Sequence, residues 1–299
     1  MALLRSMELS VGELAQVLGQ SQPRVSRHVK ILCDAAISTR RREGSWVFLT
    51  PGDSELLDPL FAAIDHLTLK AGGDHWAQAD SARLVAVRAD RAAFAAQYFA
   101  AHAQEWDEIR SLHVSDAAVE GKIISALGEQ PLGKLVDVGT GTGRMIELLA
   151  HQSEKAIGID RSPEMLRLAR AKLMEVGLNA VDLRQGDIQD LPLESASVDT
   201  VILHQVLHYL PAPEAAITEL ARITSAGGRI LIIDFAPHDI EVLRDRDAHA
   251  RLGFSDSQIS GWFAAAGLRA DLIDELPGDP LTVKIWRGTK HAAQQKAGQ

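Results

Sequence analysis

Residues 135–150 read Leu-Val-Asp-Val-Gly-Thr-Gly-Thr-Gly-Arg-Met-Ile-Glu-Leu-Leu-Ala, and no other segment of the chain narrows its fold as far. Val136 and Val138 flank Asp137 in a β-branched run that turn chemistry ends abruptly, which predicts a short buried strand. Gly139, Gly141 and Gly143 then let the backbone pass close to a ligand, and Met145, Leu148 and Leu149 recur at helical spacing. A strand that feeds a helix N-terminus through glycines is how an open α/β sheet makes a nucleotide pocket.

Two ligands compete for that loop: a dinucleotide held by its pyrophosphate, or S-adenosylmethionine. The spacing is G-x-G-x-G, without the two-residue gap that the dinucleotide fingerprint places before its last glycine, and no P-loop lysine follows. Asp137 beside the loop would repel a pyrophosphate and suits a sulfonium with its amino group. A second strand, residues 156–160, ends in Asp160, an acid suited to pair with both ribose hydroxyls. It lies about 20 residues beyond the first strand, as a βαβ unit demands. In residues 183–188, Asp187 is placed to accept the adenine amino group and Ile188 to pack on the ring. A further strand, residues 198–204, ends in His204 and leads into Gln205-Val-Leu-His-Tyr-Leu.

With these four markers in order, residues 91–287 resemble the class I S-adenosylmethionine-dependent methyltransferases, in particular the branch with ubiquinone/menaquinone-type and small-molecule enzymes. The resemblance implies an α/β, Rossmann-like domain with a mixed, mostly parallel seven-stranded sheet. It implies S-adenosyl-L-methionine as cofactor, or S-adenosyl-L-homocysteine as product or effector. Cofactor contacts are implied at Asp137, Gly139, Thr140, Gly141, Gly143, Asp160, Arg161, Met165, Gly186, Asp187, Ile188, His204 and Gln205. Residues 97–109 stand where similar proteins close a helix over the cofactor, with Tyr98 and Trp106 either touching it or packing on the sheet.

Methyl transfer from a sulfonium needs alignment more than acid–base work, and a base helps only where the acceptor carries a tightly held proton. Catalytic candidates at the C-terminal edge of the sheet are His204, His208, Asp234 and His238, with Tyr209 and His249 close in sequence. His238 and His249 lack a third ligand, so no metal is expected.

The first fifty residues carry a separate signal. Ser10 with Glu13 three positions on is a capping box. Gly19-Gln20 makes a turn, and Ser21 is expected to cap a second helix that has Pro23 in its first turn. Val25, Val29 and Leu32 face inward on that helix, while Gln22, Arg24, Arg27, His28 and Lys30 face out. Residues 38–49 hold two alternating runs that meet at Glu43-Gly44, a hairpin carrying Arg40, Arg41 and Arg42. With Ser-x-x-x-x-Ser-Arg-His in the second helix, the segment resembles the winged helix of ArsR-type transcriptional regulators. That resemblance implies double-stranded operator DNA as partner, contacts from Ser21, Gln22, Arg24, Arg27 and His28, phosphate contacts from the three arginines, and a homodimer. A basic head on a chain of net charge −9 suits that reading; a small basic module for protein contacts is the alternative.

Relative to those regulators, the chain opens at what resembles the tail of a second preceding helix, so the expectation is either a start placed late or loss of part of the dimer surface. Ala35-Ala36 stands where they have a glycine; a left-handed residue 36 would cost about 1 kcal/mol as alanine. The single cysteine, Cys33, argues against metal sensing, arsenite methylation and disulfides.

The expected organisation is a winged helix over residues 1–70, a linker and connecting helix over 71–92, the S-adenosylmethionine domain over 93–288 and a flexible tail over 289–299. Residues 54–70 should close the head or pair in the dimer. No signal peptide or bilayer-spanning run is present in the sequence, so a cytoplasmic protein without a membrane partner is expected. Two functions remain open: an enzyme that methylates a small molecule and reads DNA near its pathway, or a transcription factor that senses the methyl donor or its product.

Overall fold

The computed structural model describes residues 2–6, 9–43, 45–70, 75–106 and 115–291. It divides into two compact units, residues 1–94 with 239–241, and residues 95–238 with 242–299.

In the first unit, helix α1 (Ala2–Ser6) precedes strand β1 (Leu9–Ser10), helices α2 (Val11–Leu18) and α3 (Gln22–Asp34), and strands β2 (Ser38–Glu43) and β3 (Trp46–Pro51). Both arms of the Ser10–Glu13 capping box form, at 3.2 Å and 2.8 Å, and Gly19 closes α2 in the left-handed region. Ser21 departs from expectation. Its backbone carbonyl accepts from Arg24 and Val25, but its hydroxyl makes no capping bond; Pro23 has already removed one donor of the first turn. Ala36 does adopt the left-handed conformation, φ 56°. Its carbonyl lies 2.0 Å from where a Cβ on Gly52 would stand, so this corner tolerates only glycine at 52.

The three strands pair antiparallel in the order β1-β3-β2, with Glu43 opposite Trp46. The core of this unit joins Leu4, Leu9, Val17, Val25, Val29 and Leu49 to Leu84 and Val87. Helix α4 (Ser54–Lys70) buries Leu57 and Phe61 and exposes Leu56, Leu60 and Ile64 along one stripe. Leu84 and Val87 belong to helix α5 (His75–His102), one continuous element where the sequence reads a connector and a separate lid helix.

The second unit is a seven-stranded sheet. Its strands are β4 (Lys134–Val138), β5 (Lys155–Asp160), β6 (Asp182–Gln185), β7 (Val198–His204), β8 (Thr224–Phe235), β9 (Leu268–Leu276) and β10 (Val283–Lys290). The order is β6-β5-β4-β7-β8-β10-β9, with β10 antiparallel to both neighbours and the remaining pairs parallel. This is the mixed, mostly parallel sheet expected from the sequence. Helices α6 (Asp116–Leu127), α7 (Arg144–Leu149), α8 (Pro163–Glu175), α9 (Pro213–Ile223), α10 (Val242–Arg246) and α11 (Asp256–Ala265) accompany it. The parallel strands are buried along nearly their whole length, as covered parallel strands must be. Val136, Ile157, Val201, Leu203, Ile230 and Ile232 form its core with Phe263 and Trp286.

Strand β4 lies between β5 and β7, so the chain reverses its direction of growth there and a crevice opens at the C-terminal ends of β4 and β7. Strand β10 continues through Lys290, two residues into the segment expected as tail. Residues 71–74 of the expected linker, hairpin residue 44, residues 107–109 of the expected lid helix and the tail from 292 lie outside the described residues. Among the described residues no helix is long and apolar enough to cross a membrane.

Candidate functional site

The crevice begins at the glycine loop. Gly139 and Thr140 both donate their N–H to the Ile159 carbonyl, at 2.8 and 3.0 Å, which folds the loop over the end of β5. Gly139 has φ 71°, and a Cβ on it would stand 2.4 Å from a Val206 methyl. Gly141 has φ 53°, and its Cβ would meet the Trp106 indole nitrogen at 3.3 Å. Only glycine permits both the backbone angles and these approaches. Helix α7 follows at once, and Arg144 clamps its first turn to α6 through a two-pronged pair with Glu120, each contact 2.7 Å. That brace, between residues 24 positions apart, has no local signature in the sequence.

Asp160 ties the loop to the next corner. Its Oδ2 accepts the Gly141 N–H and its Oδ1 the Ser162 N–H, both at 2.8 Å. Burial pushes this carboxyl up, against the pull of the backbone donors of Ser162, Gly141 and Arg161. A carboxylate has about four acceptor positions, so with these three backbone donors one remains for a ligand hydroxyl. Asp137 is 1 % exposed at the end of β4, directly before the loop. Thr140 is buried beside it, with a hydroxyl that makes no hydrogen bond among the described residues.

The third marker sits at the surface. Gly186 donates to the Asp160 carbonyl at 3.1 Å, Ile188 is half-buried against the sheet core, and exposed Asp187 accepts from Gln189 N–H in a turn. Arg161 is exposed, with its carbonyl taken by Gln185. Met165 is buried in a cluster with Tyr98, Ala103, Trp106 and Ala248. Trp106, a lid or packing residue by sequence, lies beside Gly141 of the loop, and Tyr98 packs with it in that cluster. They are joined by Phe99, which follows Tyr98 on helix α5. Phe99 meets Trp106 at 5.2 Å and Tyr209 at 4.7 Å between ring centroids, both edge to face. Burial, with Asp247 close by, pushes the Tyr98 phenol up to about 12, and burial pushes Tyr209 well above its ordinary value.

The catalytic candidates separate. His204 closes β7 half-buried, and Gln205 follows in the left-handed region at φ 53°, its N–H donated to Ile233. His208 and Asp234 meet: Nδ1 lies 2.8 Å from Asp234 Oδ1 with both side chains buried. The His208 and Phe235 backbone N–H groups donate to the same carboxylate. His249 packs 4.3 Å from the His208 ring and stacks on Phe235, while His238 stands 6.3 Å from His249. Among the described residues, no group of three or more His, Cys, Asp or Glu is placed to hold a metal.

In the first unit helix α3 presents Gln22, Arg24, Arg27 and His28 to solvent, with Ser21 before it. The three wing arginines do not act alike. Strand alternation exposes Arg40 and Arg42, while Arg41 turns to the other face, pairs with buried Glu43 at 2.7 Å and lies over Phe48.

Comparison with known proteins agrees with both halves. Residues 136–232 match the family model described as methyltransferase domain, and residues 1–37 that of the bacterial regulatory protein, arsR family. A phosphatidylethanolamine N-methyltransferase of Cereibacter sphaeroides is 37% identical over 108 residues, 36% of this chain and 53% of that protein. The chain thus spans about half the length of that relative. A ubiquinone biosynthesis O-methyltransferase of Xanthomonas axonopodis is 26% identical over 200 residues, 61% of this chain and 83% of the relative. The crystal structure of YcgJ from Bacillus subtilis covers 59% of this chain and 100% of its own, with a TM-score of 0.53 and 19% identity, which shows the shared fold. Residues 136–232 are therefore a methyltransferase domain within a class I methyltransferase fold, preceded by a helix-turn-helix of the arsR family.

Proposed function

We propose that the second unit binds S-adenosylmethionine and methylates a small molecule, and that the first unit reads double-stranded DNA as one arm of a homodimer. The observation that carries the first half is the Asp160 carboxylate bonded to Gly141 of the glycine loop, at the point where the strand order reverses. Gly139 and Gly141 leave the space that a Cβ would fill, Asp160 keeps an acceptor position for a ribose hydroxyl, and buried Asp137 suits the cationic end. When bound, the cofactor supplies a methyl group already activated by its sulfonium. Trp106 and the rings behind it keep water from that end, and the His208 turn lines the acceptor side. The names of the two relatives, one an N- and one an O-methyltransferase, support a small-molecule acceptor.

The exposed stripe Leu56, Leu60 and Ile64 on α4 suits pairing with a second copy. Calorimetry with S-adenosylhomocysteine tests the cofactor site: the full chain should bind it, and Asp160→Ala should weaken binding by about tenfold or more. Normal affinity in that variant would overturn the assignment. Fluorescence anisotropy on a duplex from upstream of its own gene tests the head. Binding that shifts between S-adenosylmethionine and S-adenosylhomocysteine would favour the sensor over the enzyme.

A further inference from the structure

Resting on the methyltransferase reading, we propose that His208 is the base that takes the proton from a phenol-type hydroxyl as its oxygen is methylated, with Asp234 as positioning residue. Asp234 is fully buried and accepts N–H from Phe235 at 2.8 Å and from His208 at 3.3 Å. A carboxylate so placed accepts from Nδ1 as well, at 2.8 Å, which fixes the tautomer: Nδ1 carries the proton and Nε2 the lone pair. Nε2 is buried and makes no hydrogen bond among the described residues. A turn pinned to β8 needs only the backbone bond; a second, side-chain bond that aims an unused lone pair is what a base requires.

The surroundings choose the acceptor. Tyr209, His249 and Phe235 pack around the imidazole, with ring centroids 4.0, 4.3 and 4.9 Å from its own, so an acceptor that reaches Nε2 would meet aromatic neighbours. Ala248, buried and at φ 56°, holds the chain in a strained turn that delivers His249 to this place. Burial pushes the Tyr98 phenol up to about 12 and Tyr209 well above its ordinary value, so neither phenol is ionised to act as the base. An amine can shed its proton to water before entering. A phenol gives up its proton as the new bond forms, and where water is excluded that proton needs a base at the site.

In the step, the acceptor oxygen bonds to the methyl carbon while the carbon–sulfur bond breaks, and its electron pair stays on sulfur, quenching the sulfonium charge. The hydroxyl proton passes to Nε2. The resulting imidazolium faces Asp234 and returns the proton to water as product leaves.

Nitrocatechol is the probe, titrated by absorbance into the full chain with S-adenosylhomocysteine, in mildly acidic buffer where the free phenol is mostly neutral. The bound probe should show the phenolate spectrum. His208→Gln should bind S-adenosylhomocysteine as the wild type does, yet lose the phenolate signal by about tenfold or more. Asp234→Asn, which keeps the shape and removes the balancing charge, should lose part of it. A wild-type phenolate signal in His208→Gln overturns the proposal, as does its absence from a wild-type chain that binds S-adenosylhomocysteine. Failure to bind that nucleoside at all overturns the underlying methyltransferase reading instead, and this one falls with it. Where near-UV circular dichroism finds His208→Gln unfolded, an undiminished signal in Asp234→Asn overturns the proposal.

Discussion

Replacing Gly139 by alanine tests whether the glycine loop and the His208 turn hold each other. The left-handed backbone at φ 71° costs an L-residue about 1–2 kcal/mol. The new Cβ would also stand 2.4 Å from one Val206 methyl and 3.0 Å from the other, roughly 1 Å inside ordinary contact for the nearer. Overpacking of that kind costs about 1–3 kcal/mol, so Gly139→Ala should lose about 2–5 kcal/mol in all. Val206→Ala alone should lose about 1–2 kcal/mol of burial. In the double variant the nearest Val206 atom left is Cβ, at 3.3 Å, so the clash disappears while the backbone strain stays. The two substitutions should therefore couple by about 1–3 kcal/mol. Urea unfolding in a Trp46→Phe, Trp76→Phe background, where Trp106, Trp262 and Trp286 remain, measures the transition of the second unit, and calorimetry with S-adenosylhomocysteine reads the loop in parallel. The single variant should bind about tenfold or more weakly, with partial recovery in the double. Losses that simply add would refute the reasoning, because Val206 would then not be what confines the loop.

Burial raises the Asp160 carboxyl, so the folded chain holds that proton more tightly than the unfolded one. Its contribution to stability then falls as pH rises from the ordinary carboxylate range to the raised value. Cofactor affinity runs the other way, since ribose hydroxyls donate to the ionised form; S-adenosylhomocysteine binding should weaken on acidification through that window, and Asp160→Asn should flatten the dependence in calorimetric titrations at several pH values. Burial alone would raise Asp256, but the Trp286 indole at 2.8 Å and the Lys284 ammonium at 3.0 Å outweigh it and hold the carboxyl low. That contribution is present above the ordinary range and lost as pH falls through the lowered value, and Trp286→Phe should cost about 2–3 kcal/mol at neutral pH in urea unfolding, of which the hydrogen-bond part, about 1 kcal/mol, fades in acid while the loss from the cavity stays. On DNA, Arg40→Ala and Arg42→Ala should each lower the salt slope of log K by about 1, whereas Arg41→Ala should leave the slope and weaken the head by on the order of 1 kcal/mol through Glu43 and Phe48. Equal slopes for all three variants would overturn that division of the wing.

The glycine loop, the Asp137 and Asp160 corners, the capping box at Ser10 and the hairpin wing are legible in the sequence, because each is specified within a few residues by backbone angles and hydrophobic period. Strand alternation even holds the clue that Arg41 faces away from Arg40 and Arg42, though a run of three arginines reads more readily as one patch. Pairings across the sheet are another matter. Neither His208 with Asp234, 26 positions apart, nor Arg144 with Glu120, 24 apart, has a local signature. His249 reaches His208 only because Ala248 bends against its own preference, and Phe99 gains its role only once Tyr209 is brought to it. The sequence by itself determined which ligand-binding corner the chain builds, since local backbone sterics act on neighbours along the chain. Which side chains face one another across that corner was decided by strand order and by the antiparallel insertion of β10, because only burial of the whole sheet selects among distant partners.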